Sequence, residues 1–592
     1  MATAERSGTR LDALTDRLDR FGLSWVRLGV AGIVALALAL RFYRLGARTA
    51  HWDEARVAYW ILHFAETGAF EYRPIIHGPF YHHVNAALFD LLGASDFSMR
   101  LVVAVAGGLF PLVALLLRHR LGDVETVALA AFLAVTPVLV YYSRFMRGDP
   151  LVAVFMVTAF ALFVRTVDFG SKPAFLAGVG FVALGFTVKE NAVLYLLSWA
   201  GASVLLLDHR LFLAGDRDRD PKAIFVTTVR RVAGALRRWL PALAVGAVEF
   251  LVIIVYFYAP RTGEAASPEG PGLDDALADP SLFPTVIDAA TVGAWQDLWG
   301  TWIAGDHQDH SYLPYLGDFL QTMATGALAV SLLALFGFLV DRYSDDGPSD
   351  LPAFAFYWGF ASVLGYPLAT DIRAPWATIH AAVPLAITAA VGVGFLVRWG
   401  YRKEFAGDRL RAGVAALVLL LVVGQLAWAT GMTVYVRSPS QDHELVQYAQ
   451  PAGDINPITD KMAAVAAGND SRPDVVFYGE YFVDGDTEAE REPACVKWFN
   501  ALPLPWYVQQ SGSDVACADS EEALATTVEE SQPPIVVARE EAGKRVRLDL
   551  DEYEAYTYRL RAWGTETTFF VHESHTDDLR VAHGRADPSG QA

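Results

Sequence analysis

Long apolar runs alternate with polar segments over the first three quarters of the chain. A helix that crosses a bilayer needs about 20 mainly apolar residues, because each residue rises about 1.5 Å and the hydrocarbon core is about 30 Å thick. The pattern predicts an α-helical polytopic membrane protein with about eleven transmembrane helices. They are expected at residues 26–44, 98–117, 124–142, 150–166, 173–189, 191–207, 241–258, 322–340, 351–369, 376–397 and 411–431.

A shorter apolar stretch at 79–92 interrupts the segment between the first two spans. About 14 residues are too few to cross the hydrocarbon core, and a crossing here would also invert the side of every later loop. We therefore predict an interfacial helix that lies flat on the outer surface. The first outer loop then extends from about residue 45 to residue 97.

The hydropathy falls at about residue 432, and the rest of the chain has 29 acidic residues against 13 Lys and Arg. Strand-like runs at 474–478, 535–538 and 567–571 alternate with helix-compatible segments, which predicts a small soluble α/β domain. Its acidity suits salt-rich surroundings, or serves simply to solvate the domain. We divide the chain into three parts. They are a cytoplasmic N-terminal segment at 1–25, a transmembrane domain at 26–431 with outer loops at 45–97 and 259–318, and this extracellular α/β domain at 432–592.

The distribution of positive charge predicts the orientation, because Lys and Arg near membrane ends stay on the cytoplasmic side. Residues 209–240 contain eight Lys or Arg and three acidic residues, whereas residues 259–318 contain one arginine and ten acidic residues. The first segment is therefore predicted inside the cell and the second outside. We therefore predict a multi-pass protein of the cell membrane with a cytoplasmic N-terminus. Because the number of spans is odd, the C-terminal domain is predicted to be extracellular.

This orientation can be tested by cysteine labelling. A cysteine introduced at Ser267 should react with a membrane-impermeant thiol reagent in intact cells, whereas one at Thr227 should react only after the cells are permeabilised. The unsubstituted chain reports any background from its two native cysteines. The opposite labelling pattern would invert the predicted topology.

Composition narrows the possible functions. The 592 residues are 53% hydrophobic and 19% charged, which is too apolar for a soluble enzyme or a disordered chain. The net charge of -19 would repel nucleic acid, so membrane lipids, and not nucleic acids, are the expected partners. Since no glycine-rich phosphate loop, zinc-helix motif or GxSxG motif is visible, a nucleotide-driven pump is not expected.

Cys495 and Cys517 are the only cysteines, and both lie in the domain predicted to be extracellular. An oxidising compartment permits a disulfide, which we predict; the alternative is two unpaired small residues.

Unusual polar residues fall on the predicted outer ends of the spans. Ionisable groups beside apolar spans are costly to place, so their convergence on one face indicates a shared cavity that opens outward. The candidate site residues are Asp53, Glu54, His77, Arg144, Arg147, Asp149, Lys189, Glu190, Arg373, Trp376 and His380.

Each group has an alternative role. Asp53 and Glu54 could cap a helix, or a carboxylate there could act as a general base for an attacking hydroxyl. Arginines 144 and 147 could bind phosphate oxygens in bidentate fashion or extend to the membrane interface. Lys189 and Glu190 could pair with each other, but an outer lysine is unusual, which favours a phosphate contact.

Histidines in the outer loops could hold a divalent metal, although such clusters are also common on protein surfaces. No metal can be assigned from the sequence. The residues concerned are His77, His82, His83, His307, Asp309 and His310.

Five short motifs follow one another in order: HWDEA, HGPF, YYSRFMRGD, KEN and a late APW with a following histidine. This order resembles the GT-C superfamily of polyprenyl-phosphate-sugar-dependent glycosyltransferases, in particular the protein mannosyltransferase and aminoarabinose transferase branch. It is most similar to the archaeal flippase-activity-associated family linked to dolichol-dependent protein N-glycosylation. The resemblance covers the first half of the chain well.

The resemblance implies a role for five residues. Asp53 would be the catalytic carboxylate, Glu54 its neighbour or a metal ligand, and Arg147 with Lys189 the contacts to the lipid phosphate. Asp149 would support Arg147, and Arg373 receives no assigned role. Because the WWDYG block of oligosaccharyltransferases is missing from the sequence, transfer of a whole oligosaccharide is not expected.

Two functions follow from this reading. The first is a membrane glycosyltransferase that uses a dolichyl-phosphate sugar at the outer face, with a glycan or protein as acceptor. The second is a non-catalytic protein that seats a lipid-linked sugar or assists its translocation. A secondary transporter ranks last, because it predicts inverted repeats and polar groups at mid-membrane.

Overall fold

A computed structural model gives the fold of most of the chain. The residues that it describes are 24–74, 78–216, 221–263, 270–304, 310–344, 348–370, 372–437, 443–447, 449–451, 454–468, 473–483, 495–539, 550, 552–561, 566–576 and 579. His77, Ser267, His307 and Asp309, which carry sequence-based predictions, lie outside the described residues.

Helices build the part of the chain before residue 437, and several of them continue into short 3-10 or π turns. The helices are α1 (Trp25–Phe42), α2 (Trp52–Thr67), α3 (Phe80–Leu92), α4 (Asp96–Leu109), α5 (Val113–Leu117), α6 (Asp123–Val135), α7 (Pro137–Tyr142), α8 (Gly148–Phe169), α9 (Lys172–Val188), α10 (Val193–Asp216), α11 (Pro221–Tyr258), α12 (Leu273–Ala278), α13 (Phe283–Asp288), α14 (Ala294–Leu298), α15 (Tyr312–Arg342), α16 (Asp350–Ala369), α17 (Ile379–Phe405) and α18 (Arg409–Thr430).

The apolar runs of the sequence coincide with helices. Within the described residues, eight helical stretches are long and apolar enough to cross a membrane, and they overlap eight of the eleven predicted spans. The other three predicted spans fall on α6 with α7, on α9 and on α16. A break separates α6 from α7 because the residue before a proline, here Thr136, favours an extended backbone. The polytopic helical class is confirmed, and the number of spans stays a prediction.

The polar residues divide between the two ends of the bundle. Helix α8 shows this directly, because Asp149 lies in its first turn and Asp168 in its last. Its 22 residues separate the two ends by about 33 Å at 1.5 Å per residue. Arg120 is ion-paired with Asp168 and thus lies at the end opposite to Asp149. The side of the membrane that each end faces stays a prediction.

The predicted interfacial helix is present as α3, with 13 residues. It packs against α2, and its buried face includes Tyr81 and Phe89. Its placement at the membrane surface remains a prediction.

The C-terminal region forms a small α/β unit. It contains α19 (Asn456–Gly468), β1 (Val475–Tyr478), α20 (Trp498–Ala501), α21 (Leu504–Ser511), β2 (Val515–Ala518), α22 (Glu521–Ser531), β3 (Ile535–Arg539), β4 (Tyr553–Arg559) and β5 (Glu566–His572). The sheet order is β2-β1-β3-β5-β4. Strand β1 pairs in parallel with β2 and β3, whereas β5 pairs antiparallel with β3 and β4.

The three predicted strands are confirmed as β1, β3 and β5, which occupy the centre of the sheet. Strands β2 and β4 were not predicted. Both are edge strands with few fully buried residues, so their sequences lack the apolar run that marks a central strand. The predicted disulfide between Cys495 and Cys517 is present. The domain boundaries at residues 25 and 431 stay predictions.

The C-terminal unit docks on the helical bundle through α21. Trp506 Nε1 and the Tyr507 hydroxyl donate to the two carboxylate oxygens of Asp96, at 2.9 Å and 2.8 Å. The Tyr507 hydroxyl also accepts from the backbone N–H of Ala50 at 2.7 Å. The docking therefore reaches the loop that leads into α2.

Candidate functional site

The first turn of α2 is held by a capping box. His51 is the N-cap, and its Nδ1 accepts from the backbone N–H of Asp53 at 3.0 Å. In return, Glu54 Oε2 accepts from the backbone N–H of His51 at 2.9 Å. Such reciprocal bonds satisfy N–H groups that the helix itself leaves without partners. The capping role that we considered for this acidic pair is thus filled by Glu54, and it fixes where Asp53 projects.

Glu54 also forms a buried ion pair with Arg100. Arg100 Nε and Nη2 donate to the two carboxylate oxygens at 2.8 Å and 2.7 Å, and the backbone N–H of Met146 adds a bond of 2.6 Å. Burial alone would raise the pKa of Glu54, but the charge and hydrogen bonds of Arg100, with the N–H groups of His51 and Met146, lower it to about 2. The carboxylate is 2% exposed. These contacts favour a positioning role for Glu54.

Arg100 organises the loop before α2 as well. Its Nη1 donates to the carbonyls of Leu45 and Arg48, and its Nη2 donates to the carbonyl of Thr49. One buried guanidinium therefore ties this loop to Glu54, and so holds the start of α2 against α4.

Arg147 is the centre of the site. Its Nη2 donates to Asp53 Oδ2 at 2.5 Å, and its Nε donates to Gln447 Oε1 at 2.6 Å. The indole ring of Trp376 covers the guanidinium, with 3.6 Å from Cζ to the ring centroid. The hydroxyl of Tyr81, on α3, donates to the backbone carbonyl of Arg147 at 2.8 Å. The guanidinium of Arg147 is thus held in a fixed orientation in contact with Asp53, the carboxylate predicted to be catalytic.

A second cluster surrounds Asp149, in the first turn of α8. Lys189 Nζ donates to both of its carboxylate oxygens at 3.1 Å. His380 Nε2 lies 3.1 Å from Asp149 Oδ1, and His380 Nδ1 lies 2.7 Å from the hydroxyl of Tyr195. Asn191 Nδ2 also donates to Asp149 Oδ1, at 3.3 Å. Asp149 is thus held by Lys189, His380 and Asn191, and the support of Arg147 by Asp149 that the resemblance implied stays a prediction.

The glycine of the HGPF motif lies beside Lys189. Gly78 N–H donates to the carbonyl of Val188 at 2.8 Å. A Cβ at this position would lie 2.4 Å from the carbonyl oxygen of Thr187, so only glycine permits this approach. The motif thereby brings the segment before α3 against the end of α9, where Lys189 emerges.

Comparisons with known proteins show which families two segments of the chain match and which solved structure shares its fold. Residues 76–215 match the dolichyl-phosphate-mannose-protein mannosyltransferase family, and residues 455–573 match the Agl23 flippase-associated protein C-terminal domain. No curated protein matches the chain. The crystal structure of ArnT from Cupriavidus metallidurans in the apo state is 17% identical, with a TM-score of 0.52, over 92% of this chain and 98% of ArnT. The chain therefore has an ArnT-like GT-C fold.

ArnT from the same organism has also been solved with undecaprenyl phosphate bound. That structure is 16% identical to this GT-C chain and has a TM-score of 0.52, over 91% of this chain and 97% of ArnT. At this identity the likeness establishes the fold, and together with the two family matches it confirms the predicted resemblance.

Besides Glu54, three predicted site residues lie outside the Arg147 and Asp149 clusters. Arg144 Nη1 donates to the carbonyls of residues 40, 41 and 43, which end α1. Glu190 accepts from the hydroxyls of two tyrosines, residues 72 and 258, and so does not pair with its neighbour Lys189. Arg373 is ion-paired with Asp318 at 2.6 Å, and both side chains are largely exposed.

The predicted metal site cannot be assembled from the described histidines. Among the described residues no three His, Cys, Asp or Glu side chains are grouped so that they could hold a metal. His83 Nε2 lies 2.9 Å from the carbonyl of Phe257, and His310 Nε2 lies 2.7 Å from the carbonyl of Thr370. The sequence assigned no metal, and a divalent metal stays one of its open alternatives.

Three residues that shape the site were not predicted from the sequence. Arg100 is an ionisable residue inside the predicted span 98–117, which by itself marks a candidate functional position. Tyr195 and Gln447 gave no such signal, because an isolated tyrosine in a span and a glutamine in a linker are common.

Proposed function

We propose that this GT-C chain is a membrane glycosyltransferase that uses a polyprenyl (dolichyl) phosphate-linked sugar at the outer membrane face, in a protein or lipid glycosylation pathway. The observation that carries the proposal is the contact of Asp53 with Arg147, because it places a carboxylate beside a cation suited to phosphate. The undecaprenyl phosphate bound by ArnT supports a lipid phosphate as the carrier.

In this proposal Asp53 is the general base. Its side chain is 18% exposed, whereas that of Glu54 is 2% exposed and fully engaged by Arg100. Asp53 accepts the proton of an acceptor hydroxyl on a glycan or protein. The hydroxyl oxygen forms a bond to the anomeric carbon of the sugar, the bond from that carbon to the phosphate oxygen breaks, and polyprenyl phosphate leaves.

Arg147 and Lys189 would stabilise the leaving phosphate. Developing negative charge is best stabilised by donors that are already oriented, and both cations are held. Arg147 is covered by Trp376, whereas Lys189 is fixed by Asp149, which His380 holds in turn. An ammonium has three N–H donors, so Lys189 retains one beyond the two that it directs to Asp149.

A second candidate function is a non-catalytic protein that seats a lipid-linked sugar or assists its translocation. The match of residues 455–573 to a flippase-associated domain favours it. Such a protein would bind the same lipid phosphate without transferring the sugar. An in vitro transfer assay with purified protein and a polyprenyl-phosphate sugar separates the two functions.

Arg147→Ala tests the phosphate contact. A hydrogen bond to a charged group is worth about 1.5–3 kcal/mol, so the Kd for a polyprenyl phosphate should rise roughly 10- to 100-fold. Binding of the acceptor should be unchanged. Arg373→Ala is the matched control, because that arginine is 60% exposed and pairs only with Asp318 among the described residues. Equal lipid affinity in both variants would count against the phosphate role of Arg147.

A further inference from the structure

The linker between α18 and the C-terminal unit forms one wall of the site. Leu445, which is fully buried, accepts through its carbonyl from the hydroxyl of Tyr142 at 2.7 Å. Gln450, also buried, accepts through Oε1 from the hydroxyl of Tyr141 at 2.8 Å. Both tyrosines belong to α7, the helix that leads to Arg147. The described linker residues are therefore held in place at the site.

Gln447 projects from this linker to Arg147 and is 2% exposed. A guanidinium can only donate, so the bond from Arg147 Nε identifies the amide oxygen of Gln447 as the atom that faces it. The amide nitrogen, Nε2, is then a donor. Within the described residues no atom accepts from it, although it is buried. Buried amide donors are seldom left without an acceptor, so Nε2 is available to an oxygen atom from outside the described residues.

We propose that Gln447 binds the lipid-linked donor directly, by donating from Nε2 to an oxygen of the phosphate that Arg147 holds. The inference rests on the proposed function of Arg147. The two donors suit one phosphate, because Nε2 shares its carbon with the oxygen that contacts Arg147 Nε. The C-terminal linker thereby becomes part of the binding site for the donor substrate.

The same geometry indicates from which side the donor phosphate would reach Arg147. Trp376 covers one face of the Arg147 guanidinium, so a phosphate must approach its edge, where Asp53 now binds. A phosphate that enters displaces this carboxylate and comes up beside Gln447. Binding of the donor substrate would then also release Asp53 from its ion pair and leave it free to accept a proton.

Two substitutions, read together with the crosslinking measurement described below, separate direct binding from mere support of Arg147. Gln447→Glu keeps an oxygen for Arg147 Nε but has no N–H to donate, whereas Gln447→Met loses both groups. Affinity for undecaprenyl phosphate would be measured on the purified full chain in detergent, with undecaprenol, which lacks the phosphate, as reference ligand. Gln510→Glu makes the same charge change at an exposed glutamine that bonds to the carbonyl of Ala94.

Both Gln447 variants should weaken undecaprenyl phosphate binding about 10-fold or more, which corresponds to a lost hydrogen bond to a charged group. Undecaprenol binding and the Gln510→Glu control should change less than about twofold. If Gln447→Glu binds like the unsubstituted chain, Gln447 only orients Arg147 and the proposal is overturned. A loss in Gln447→Glu alone would indicate charge repulsion and would overturn it equally, as would no loss in either variant.

A photoreactive undecaprenyl phosphate analogue on the unsubstituted chain gives a second measurement that does not depend on variant folding. With the reactive group next to the phosphate, the crosslinked peptide should include residues 443–451. Crosslinks confined to other segments would contradict the proposal. If the unsubstituted chain binds undecaprenol as tightly as undecaprenyl phosphate, the proposed function itself fails, which is a different result from a failure of Gln447 alone.

Discussion

Asp53→Asn is expected to lower sugar transfer by at least about 100-fold, since general-base catalysis contributes about 10²- to 10⁴-fold. The asparagine keeps the shape of the side chain, and its oxygen can still accept from Arg147 Nη2, but it cannot take a proton from the acceptor hydroxyl. The measurement is the rate of transfer from a polyprenyl-phosphate sugar by the purified protein.

Some loss of stability is expected in this variant, because Arg147 is 4% exposed and loses its counter-charge. The loss is limited because Asp53 is 18% exposed and Arg147 keeps its hydrogen bonds to the asparagine oxygen and to Gln447, so transfer is measured where both proteins are folded. Asp318→Asn is a suitable control, since Asp318 pairs with the exposed Arg373 outside the site. Affinity for the lipid phosphate should not fall in Asp53→Asn, because the anion that competes for Arg147 has been removed. Full glycosylation output from Asp53→Asn would make the non-catalytic lipid-binding function the better account.

Glu54→Gln is expected to destabilise the protein by about 3 kcal/mol or more, because removal of one partner from a buried ion pair leaves the other charge uncompensated. Here that charge is Arg100, which is fully buried. Glu566→Gln makes the same substitution in an exposed pair with Arg559, where the loss should stay below about 1 kcal/mol. Unfolding of both variants in detergent provides the comparison, and equal losses would refute the structural role of Glu54.

The pH dependence of this difference has a definite sign. The pKa of Glu54 is lowered to about 2 in the folded protein from an ordinary value of 4.5. The stability contributed by the ionised carboxylate is therefore fully present above about pH 4.5 and is lost as the pH falls through about 2. The difference in free energy of unfolding between the unsubstituted chain and Glu54→Gln should be constant above pH 4.5 and shrink below it.

The sequence by itself determined the helical membrane class, the small α/β unit and the common end of the site motifs. Each of these follows from a local signal: the length of an apolar run, the alternation of strand-like and polar segments, or a motif placed at a helix end. Asp53, Arg147, Asp149 and Lys189 are brought together at one end of the bundle, because consecutive helices in an antiparallel bundle return there at every second connection.

The tertiary structure alone decided which groups pair. Arg147 and Asp149 are only two residues apart, yet Arg147 binds Asp53 and Asp149 binds Lys189. The reason is that side chains two positions apart at the start of a helix point to different faces. The partners Arg100 and Gln447 are 46 and 300 residues away from the groups they hold. Contacts between residues so far apart in sequence depend on helix packing and on how the C-terminal unit docks. Neither can be predicted from a local pattern of residue types.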